Sequence, residues 1–569
     1  MHLRRELLNE TVVILLILLI PIIGAPLANA GPLEYRQFQK GMTYVWWWHD
    51  TYSDIGSDRS LEALAGTGTN WVSLIVTWYQ NDYSDTSIFA LMRKTPSDDS
   101  VVHAIRTIHS LGMKVMLKPH VDLANDVHGE WRGNIEPKDT QQWFTSYRSF
   151  ILHYVQLAQA ERVEQFSVGT ELVSMTLPTM TQYWTDIIAA VRESYNGTLV
   201  YSANSPPAAH QQLPEWKNIR FWDKLDYVGI DAYFPLTAEK DPPLTELIQA
   251  YKQYLDDVES WQKTVNKPIL FTEIGWWSVA GTNTVPWLFN VYCGPDMSGY
   301  DPSKCRPDQS EQANLYEATL ETFWGRPWFQ GIFWWAWFPF YTLYGWGEGG
   351  PSDTSYSPHN KLAEKVLRSW YAKSYIPQGV PDAAVPALIA IQQAENTTAG
   401  AMREDRTRGL DSAKSLLSQS IAAYNKREFQ VSEDLAKQSS RAAEGAVNQE
   451  KYNEAASGIN ETLVKLNSVQ NATLQSPDAI LLRQQAQSEY NLAVSALSKN
   501  DFDLVRLHAS NATELIQKAF NIESTYQAQR TALQQQRQRD IFEYALVIAV
   551  VLVPILLLLD WRNRKKASA

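Results

Sequence analysis

Cysteine is almost missing from these 569 residues. There are two, Cys293 and Cys305, in one loop rich in Gly, Pro and Asp. Two thiolates alone cannot form a metal site of the structural zinc kind. Outside the cell so near a pair is expected to be bonded, closing a short loop on the rim of a cleft. Basic charge is also scarce. Fifty Lys and Arg against 62 Asp and Glu leave a net charge of −12, and the folded part has no basic cluster, so nucleic acid is not an expected partner. A Gly-rich phosphate loop is missing as well. The first candidate strand ends Trp46-Trp47-Trp48-His49-Asp50, which offers nothing to cradle a phosphate and argues against a doubly wound nucleotide-binding sheet.

Aromatic residues, by contrast, are abundant: 22 Trp and 27 Tyr, most of them before residue 375. Any single Trp is expected to fill a core, but rings in strand-end loops also serve as platforms for sugars. The chain exceeds what one hydrophobic core accommodates, so at least two folded units are expected. Residues 1–30 read as a secretory signal, with an uncleaved signal anchor as the alternative: Arg4 and Arg5, an apolar Thr11 to Ile23, then Ala28-Asn29-Ala30 fitting a cleavage site. Ile541 to Leu559 is nearly all aliphatic and long enough to span a bilayer. Residues 560–569 form a basic tail with Arg562, Arg564, Lys565 and Lys566. The positive-inside tendency puts this tail in the cytoplasm and the preceding chain outside, on the cell surface. Arg530, Arg537 and Arg539 lie on the other side of the span, so the orientation rests on the N-terminal signal too. Sequons at Asn196, Asn396, Asn460, Asn471 and Asn511 are compatible with surface glycosylation.

Residues 31–375 form the first folded unit. Its key stretch is Ile269-Leu270-Phe271-Thr272-Glu273-Ile274-Gly275, an apolar run entered from Pro268, leading into a carboxylate and closed by Gly275. Such a run reads as a buried parallel strand. Phe166-Ser167-Val168-Gly169-Thr170-Glu171-Leu172 has the same grammar. Further strand candidates are Thr43–Trp47, Trp71–Thr77, Lys114–Pro119, Leu199–Ala203, Tyr227–Asp231 and Gly331–Trp335, with helical patterns between them such as Asp99–Leu111 and Trp143–Ala160. Eight strands alternating with helices predict an α/β fold, a closed (β/α)8 TIM barrel. Barrels of this kind hold their chemistry at the carboxyl ends of the strands. Those ends nominate Lys118, His120 and Asp122, then Glu171, Asn204, Asp231 and Tyr233, Glu273, and Trp334, Trp335 and Trp337, with Trp131 and Arg132 in the loop after strand three. Glu171 and Glu273 make a candidate pair of catalytic carboxylates. Aromatic floors rimmed by Asn, Asp, His and Tyr suit a neutral polyhydroxylated ligand.

After Trp370 the aromatics thin out. Residues 376–386 read as a linker, with Pro377, Gly379, Pro381 and Pro386. Residues 387–539 are helical in pattern, with a weak Ala-x5-Phe/Tyr repeat at Ala423 to Phe429, Ala446 to Tyr452 and Ala496 to Phe502. This reads as an all-α repeat or bundle stalk. It carries no carboxylate pair or metal spacing. Its expected role is that of a spacer or an interaction surface, toward itself or an envelope protein.

Segment 40–365 resembles glycoside hydrolase family 113 and its relatives in the large retaining clan of β-mannanases and cellulases. The matching stretches include Thr77-Trp78-Tyr79-Gln80, Leu117-Lys118-Pro119-His120-Val121-Asp122, Trp131-Arg132-Gly133, Val168-Gly169-Thr170-Glu171-Leu172, Asp231-Ala232-Tyr233-Phe234-Pro235, Phe271-Thr272-Glu273-Ile274-Gly275 and Phe333-Trp334-Trp335-Ala336-Trp337. The resemblance implies Glu171 as acid/base, Glu273 as nucleophile and Tyr233 as a donor to Glu273. It implies a β-linked hexose polymer or oligomer as substrate, with β-1,4-mannan or glucomannan first, and no metal or organic cofactor. Thr170 stands where the clan usually has an Asn that touches the sugar 2-hydroxyl, so Asn204 or the strand-three residues are the substitutes for that contact. Two other expectations compete with hydrolysis: a surface carbohydrate-binding protein without turnover, and a transglycosylase acting on surface glycans.

Overall fold

The computed structural model describes residues 34–125, 130–205, 213–288, 306–340, 348–404 and 406–567. The signal expected at 1–30 and the Cys293–Cys305 pair lie outside the described residues.

Eight parallel strands pair in sequence order and close on themselves, β1 with β8. They are β1 Gln39–Tyr44, β2 Trp71–Gln80, β3 Lys114–Leu123, β4 Gln165–Thr170, β5 Thr198–Ser205, β6 Tyr227–Ala232, β7 Ile269–Ile274 and β8 Phe329–Trp337. The expected (β/α)8 barrel is therefore present. The main helices that surround it are α1 Ile55–Ala65, α2 Asp98–Ser110, α3 Thr140–Ala160, α4 Thr181–Ser194, the single turn α5 Glu215–Asn218, α6 Leu244–Val265, α7 Gln309–Phe323 and α8 Leu362–Tyr371. Asp54, Ser97, Asp139 and Asp308 cap four of them, each accepting a first-turn backbone N–H.

Strand alternation sorts the residues between two cores. Val115 and Leu117 face outward into a large cluster with the helices. Met116 joins Trp71, Val200, Tyr227, Leu270 and Phe333 in a cluster drawn from strands alone, which fills the barrel interior. Lys118 and His120 continue the inward face of β3 toward its carboxyl end. β1 begins four residues earlier than the aromatic run suggested. Its Gln39 and Lys40 are buried polar residues: Gln39 Nε2 donates to Gln165 Oε1 (2.9 Å), and Lys40 Nζ donates to the Tyr371 carbonyl (2.6 Å). Polar residues at a strand start hide it from a hydrophobic reading.

The first compact unit runs to Glu444 and the second starts at Gly445. The stretch 376–386, where the composition changes, lies inside the first unit. It is fixed there: the Gln378 amide donates to the Gly325 carbonyl (2.7 Å), and Gln392 makes two hydrogen bonds with the Tyr375 backbone (2.8 and 2.9 Å). Two further helices, α9 Val385–Arg403 and α10 Leu410–Asn425, follow. Tyr35 reaches both, its amide donating to Asn425 and its hydroxyl to Glu395.

The second unit holds the later part of α11 Phe429–Asn471, with α12 Pro477–Ser498 and α13 Phe502–Ala567. Ala479, Ala486 and Ala493 recur every seven residues on α12, and Val505, Ala512 and Ala519 do so on α13; all are buried. Small residues at heptad spacing let antiparallel helices approach closely. The apolar end of α13 is long enough to cross a membrane by length and composition, and is fully exposed in this chain.

Candidate active site

Three strand ends break the strict alternation of the barrel, and the site is built on them. Between the Ser167–Val200 and Thr170–Ser202 pairings, β4 spends one residue more than β5. The chain then leaves β4 through Glu171, which adopts φ +52°, a region disfavoured for any side chain with a Cβ. Gly169 is needed just before it, because a Cβ there would lie 2.6 Å from the Tyr201 ring and 2.9 Å from both Trp184 and the Tyr147 hydroxyl. On β7 one extra residue separates the Phe271 and Glu273 pairings to β6. Thr272 and Glu273 thereby both serve the mouth. Gly275 follows for a steric reason, since a Cβ would sit 2.1 Å from the Trp335 carbonyl oxygen.

Glu273 is surrounded by donors. Lys118 Nζ lies 2.5 Å from its Oε1 and Tyr233 donates its hydroxyl to Oε2 at 3.0 Å. Lys118 also donates to both oxygens of Asp231 (3.2 Å each), and Thr272 donates to Asp231 Oδ1 (2.6 Å). Lys118 and Asp231 have no exposed side-chain surface. Burial, and then the charge of Glu273, push the Asp231 carboxyl well above the ordinary range. His120 Nε2 lies 3.7 Å from Glu273 Oε1. Burial, then Arg132 and Lys118, hold the imidazole well below its usual pKa, in the neutral form. Its Nε2 has no hydrogen-bond partner among the described residues.

Glu171 sits in a different environment. Arg132 Nη1 donates to its Oε2 at 2.9 Å, while Arg132 Nη2 holds Asp122 Oδ1 at 2.5 Å. Burial, then the charge of Glu273, push the Glu171 carboxyl up to about 7, against the pull of Arg132 and Lys118. Glu171 directly follows β4 and Glu273 lies near the end of β7, so both stand at the same end of the barrel. A carboxyl raised this far can give up a proton near neutrality.

The remaining nominated residues divide. Trp335 is half-buried and lies parallel to His120, ring centroids 6.4 Å apart. Trp131 lines a cleft of about 400 Å³ with Trp47, Trp48, Tyr79, Asp122 and Arg132. Asn204 lies at the end of β5, its backbone N–H bonded to Glu215. Trp337 is not brought to the mouth. It is 0% exposed, and its indole N–H is directed at Ser60 Oγ (2.9 Å) on α1. Trp334 likewise packs outward, donating to the Tyr371 hydroxyl. The sequence reading did not pick out Glu215, Tyr201, Thr272, Trp47 or Trp48. Thr272 could have been found from its place beside Glu273, and the two Trp from their place at the end of a barrel strand. For Glu215, in a Pro-Glu step opening a short helix, no sequence signal separates it from a solvated acid.

Comparison with known proteins agrees with the barrel fold. No curated protein matches the chain. Among solved structures, a GH113 β-1,4-mannanase is 24% identical with a TM-score of 0.50, the match covering 59% of this chain and 99% of that one, a likeness of fold. A further GH113 β-1,4-mannanase structure is 25% identical with a TM-score of 0.50 over 59% and 99%. The GH113 β-mannanase AaManA from Alicyclobacillus acidocaldarius is 27% identical with a TM-score of 0.49 over 60% and 99%. The sequence model of Glycoside Hydrolase Family 113 matches residues 42–361, more than half of the chain and nearly all of the barrel; the chain belongs to that family and is a glycoside hydrolase.

Proposed function

We propose that the chain is a retaining endo-β-1,4-mannanase, acting on mannan or glucomannan and held on the outer side of a membrane by the apolar end of α13. The observation that carries the chemistry is the difference in surroundings of two glutamates in one barrel mouth, Glu171 held by Arg132 and Glu273 by Lys118 and Tyr233. Glu171 has its carboxyl raised to about 7. Both oxygens of Glu273 accept hydrogen bonds, from Lys118 and Tyr233, which suits a carboxylate nucleophile. Family membership and the mannanase likeness at 25% identity support the substrate class.

In this reading Glu273 attacks the anomeric carbon while Glu171 gives its proton to the departing glycosidic oxygen. Glu171, now a carboxylate, takes a proton from water, and that water releases the sugar from Glu273 with net retention. Lys118 keeps Asp231 and Glu273 from repelling one another. Neutral His120 offers Nε2 to a sugar hydroxyl, and Trp335 and Trp131 offer ring faces.

The test is the full chain in detergent on a panel of β-glycans. β-1,4-Mannan should be cleaved internally, with the β-anomer appearing first by NMR. Glu171→Gln and Glu273→Gln should each abolish release of reducing ends. Binding without turnover, an inverted first product, or longer chains building up in place of shorter ones would each defeat the proposal. Labelling intact cells with a membrane-impermeant reagent checks the orientation, and an unlabelled barrel would refute it.

A further inference from the structure

One buried carboxylate lies outside the reaction just described. Glu215, at the first turn of α5, is 1% exposed. Its Oε1 accepts from the Tyr201 hydroxyl (2.6 Å) and the Thr176 hydroxyl (2.8 Å), and its Oε2 accepts from the Asn204 amide (2.7 Å). The Tyr201 oxygen in turn accepts from the Leu172 amide at 2.9 Å. Leu172 directly follows Glu171, and Thr176 lies four residues beyond Leu172. The Glu171 amide is itself bonded to the Ser202 carbonyl (2.8 Å). The loop leaving β4 is thus tied to β5 on both sides of the left-handed residue, and the tie converges on one carboxylate.

A left-handed conformation at a residue with a Cβ persists only where its surroundings over-determine it. Three donors on one buried carboxylate supply that constraint. An exposed surface acid capping α5 would need none of them. Burial pushes the Glu215 carboxyl up to about 7, opposed by its hydrogen bonds from Tyr201, Asn204 and Thr176; Asp231 and Tyr147 also face it electrostatically. Its charge acts on Glu171 in the same direction as Glu273, and opposite to Arg132 and Lys118.

We propose that Glu215 is the positioning residue for the general acid/base. Through Tyr201 and the Leu172 amide it fixes the turn that aims Glu171 into the mouth, and through the Asn204 amide it locks the end of β5 to the same point. The inference rests on the hydrolase reading above, because it assigns Glu171 the proton-transfer role.

The test compares wild type, Glu215→Gln and Tyr201→Phe, as full chains in detergent. Two substrates are used: β-1,4-mannan, and a dinitrophenyl β-mannobioside whose leaving group needs no proton. Glu215→Gln should lose about 10- to 100-fold in kcat on mannan, the scale of a misplaced catalytic group, with KM changed by less than about threefold. Dinitrophenolate release with azide present, which bypasses the base step, should be largely spared. Tyr201→Phe should show the same selective loss on mannan at smaller size, and decides the matter if Glu215→Gln does not fold. Equal losses on both substrates, or no loss on mannan in folded variants, would overturn the assignment. A wild type silent on both substrates defeats the hydrolase reading and this one with it. An active wild type with unaltered variants defeats this one alone.

Discussion

Arg132→Met should move the basic limb of the kcat/KM profile upward. The limb in wild type is expected near pH 7, where the Glu171 carboxyl loses its proton. In the proposed mechanism the acid that protonates the leaving oxygen is lost above it. Burial and the charge of Glu273 set that value, and Arg132 opposes them from 2.9 Å. An adjacent guanidinium typically lowers a carboxyl by about 1–3 units. Met keeps the length and apolar bulk of the arginine stem while removing the charge. Asp122 also loses the guanidinium that holds it at 2.5 Å. An upward shift of roughly 1 to 2 units follows, equivalent to about 1.4–2.7 kcal/mol of differential stabilisation of the ionised form. The assay is hydrolysis of a soluble manno-oligosaccharide well below KM across pH 5 to 10, since kcat/KM reports the free enzyme. Arg132→Lys should give a smaller shift, because a point charge lacks the fork that grips Asp122 and Glu171 together. A limb that stays in place, or moves down, would refute the claim that Arg132 restrains the acid.

Three other outcomes follow from the same site. Lys118→Met leaves Asp231 and Glu273 buried without their shared cation; it should cost about 3–5 kcal/mol in chemical denaturation and abolish mannan cleavage. Trp337→Phe removes the indole N–H that binds Ser60, so it should lower stability by about 1–3 kcal/mol while leaving KM for mannan unchanged, which a sugar-stacking Trp337 would not. Gly169→Ala forces a methyl against Tyr201, Trp184 and Tyr147, and should cost about 1–3 kcal/mol by overpacking, read as a lower melting temperature.

The barrel was legible because its strands are bounded apolar runs, and the two glutamates because each ends one of them. Lys118, His120 and Asp122 were legible for a related reason: β3 runs in regular register with β2 from Lys114 to Leu123, so its motif and its pleat agree. The start of β1 is hidden because its buried Gln39 and Lys40 look like loop residues while the aromatics beyond Tyr44 look like strand. The α12 and α13 heptads of small residues are plain once the helices are paired. In the sequence their alanines are lost among other alanines, and the aromatic repeat is the plainer pattern.

Trp337 shows most clearly where sequence reasoning stops. Strict alternation assigns Trp335 and Trp337 to one face of β8. The pairing with β1 runs Met42 to Trp334, then Tyr44 to Trp337, so β8 advances three residues while β1 advances two. The extra residue puts Trp337 on the outer face with Trp334 and leaves Trp335 beside His120. β4 and β7 each gain a residue in the same way, just before Glu171 and at Glu273. Bulges re-aim side chains next to active sites, and here all three precede or contain the groups that face the sugar in the proposed mechanism. The period-two signal therefore fails where the chemistry sits, because a regular pleat would turn one side chain of each neighbouring pair away from the mouth. Thr272 and Glu273 are adjacent in sequence yet both serve the site, which no unbroken strand allows. A motif such as Phe271-Thr272-Glu273-Ile274-Gly275 carries this irregularity with it, whereas alternation, hydrophobicity and spacing do not.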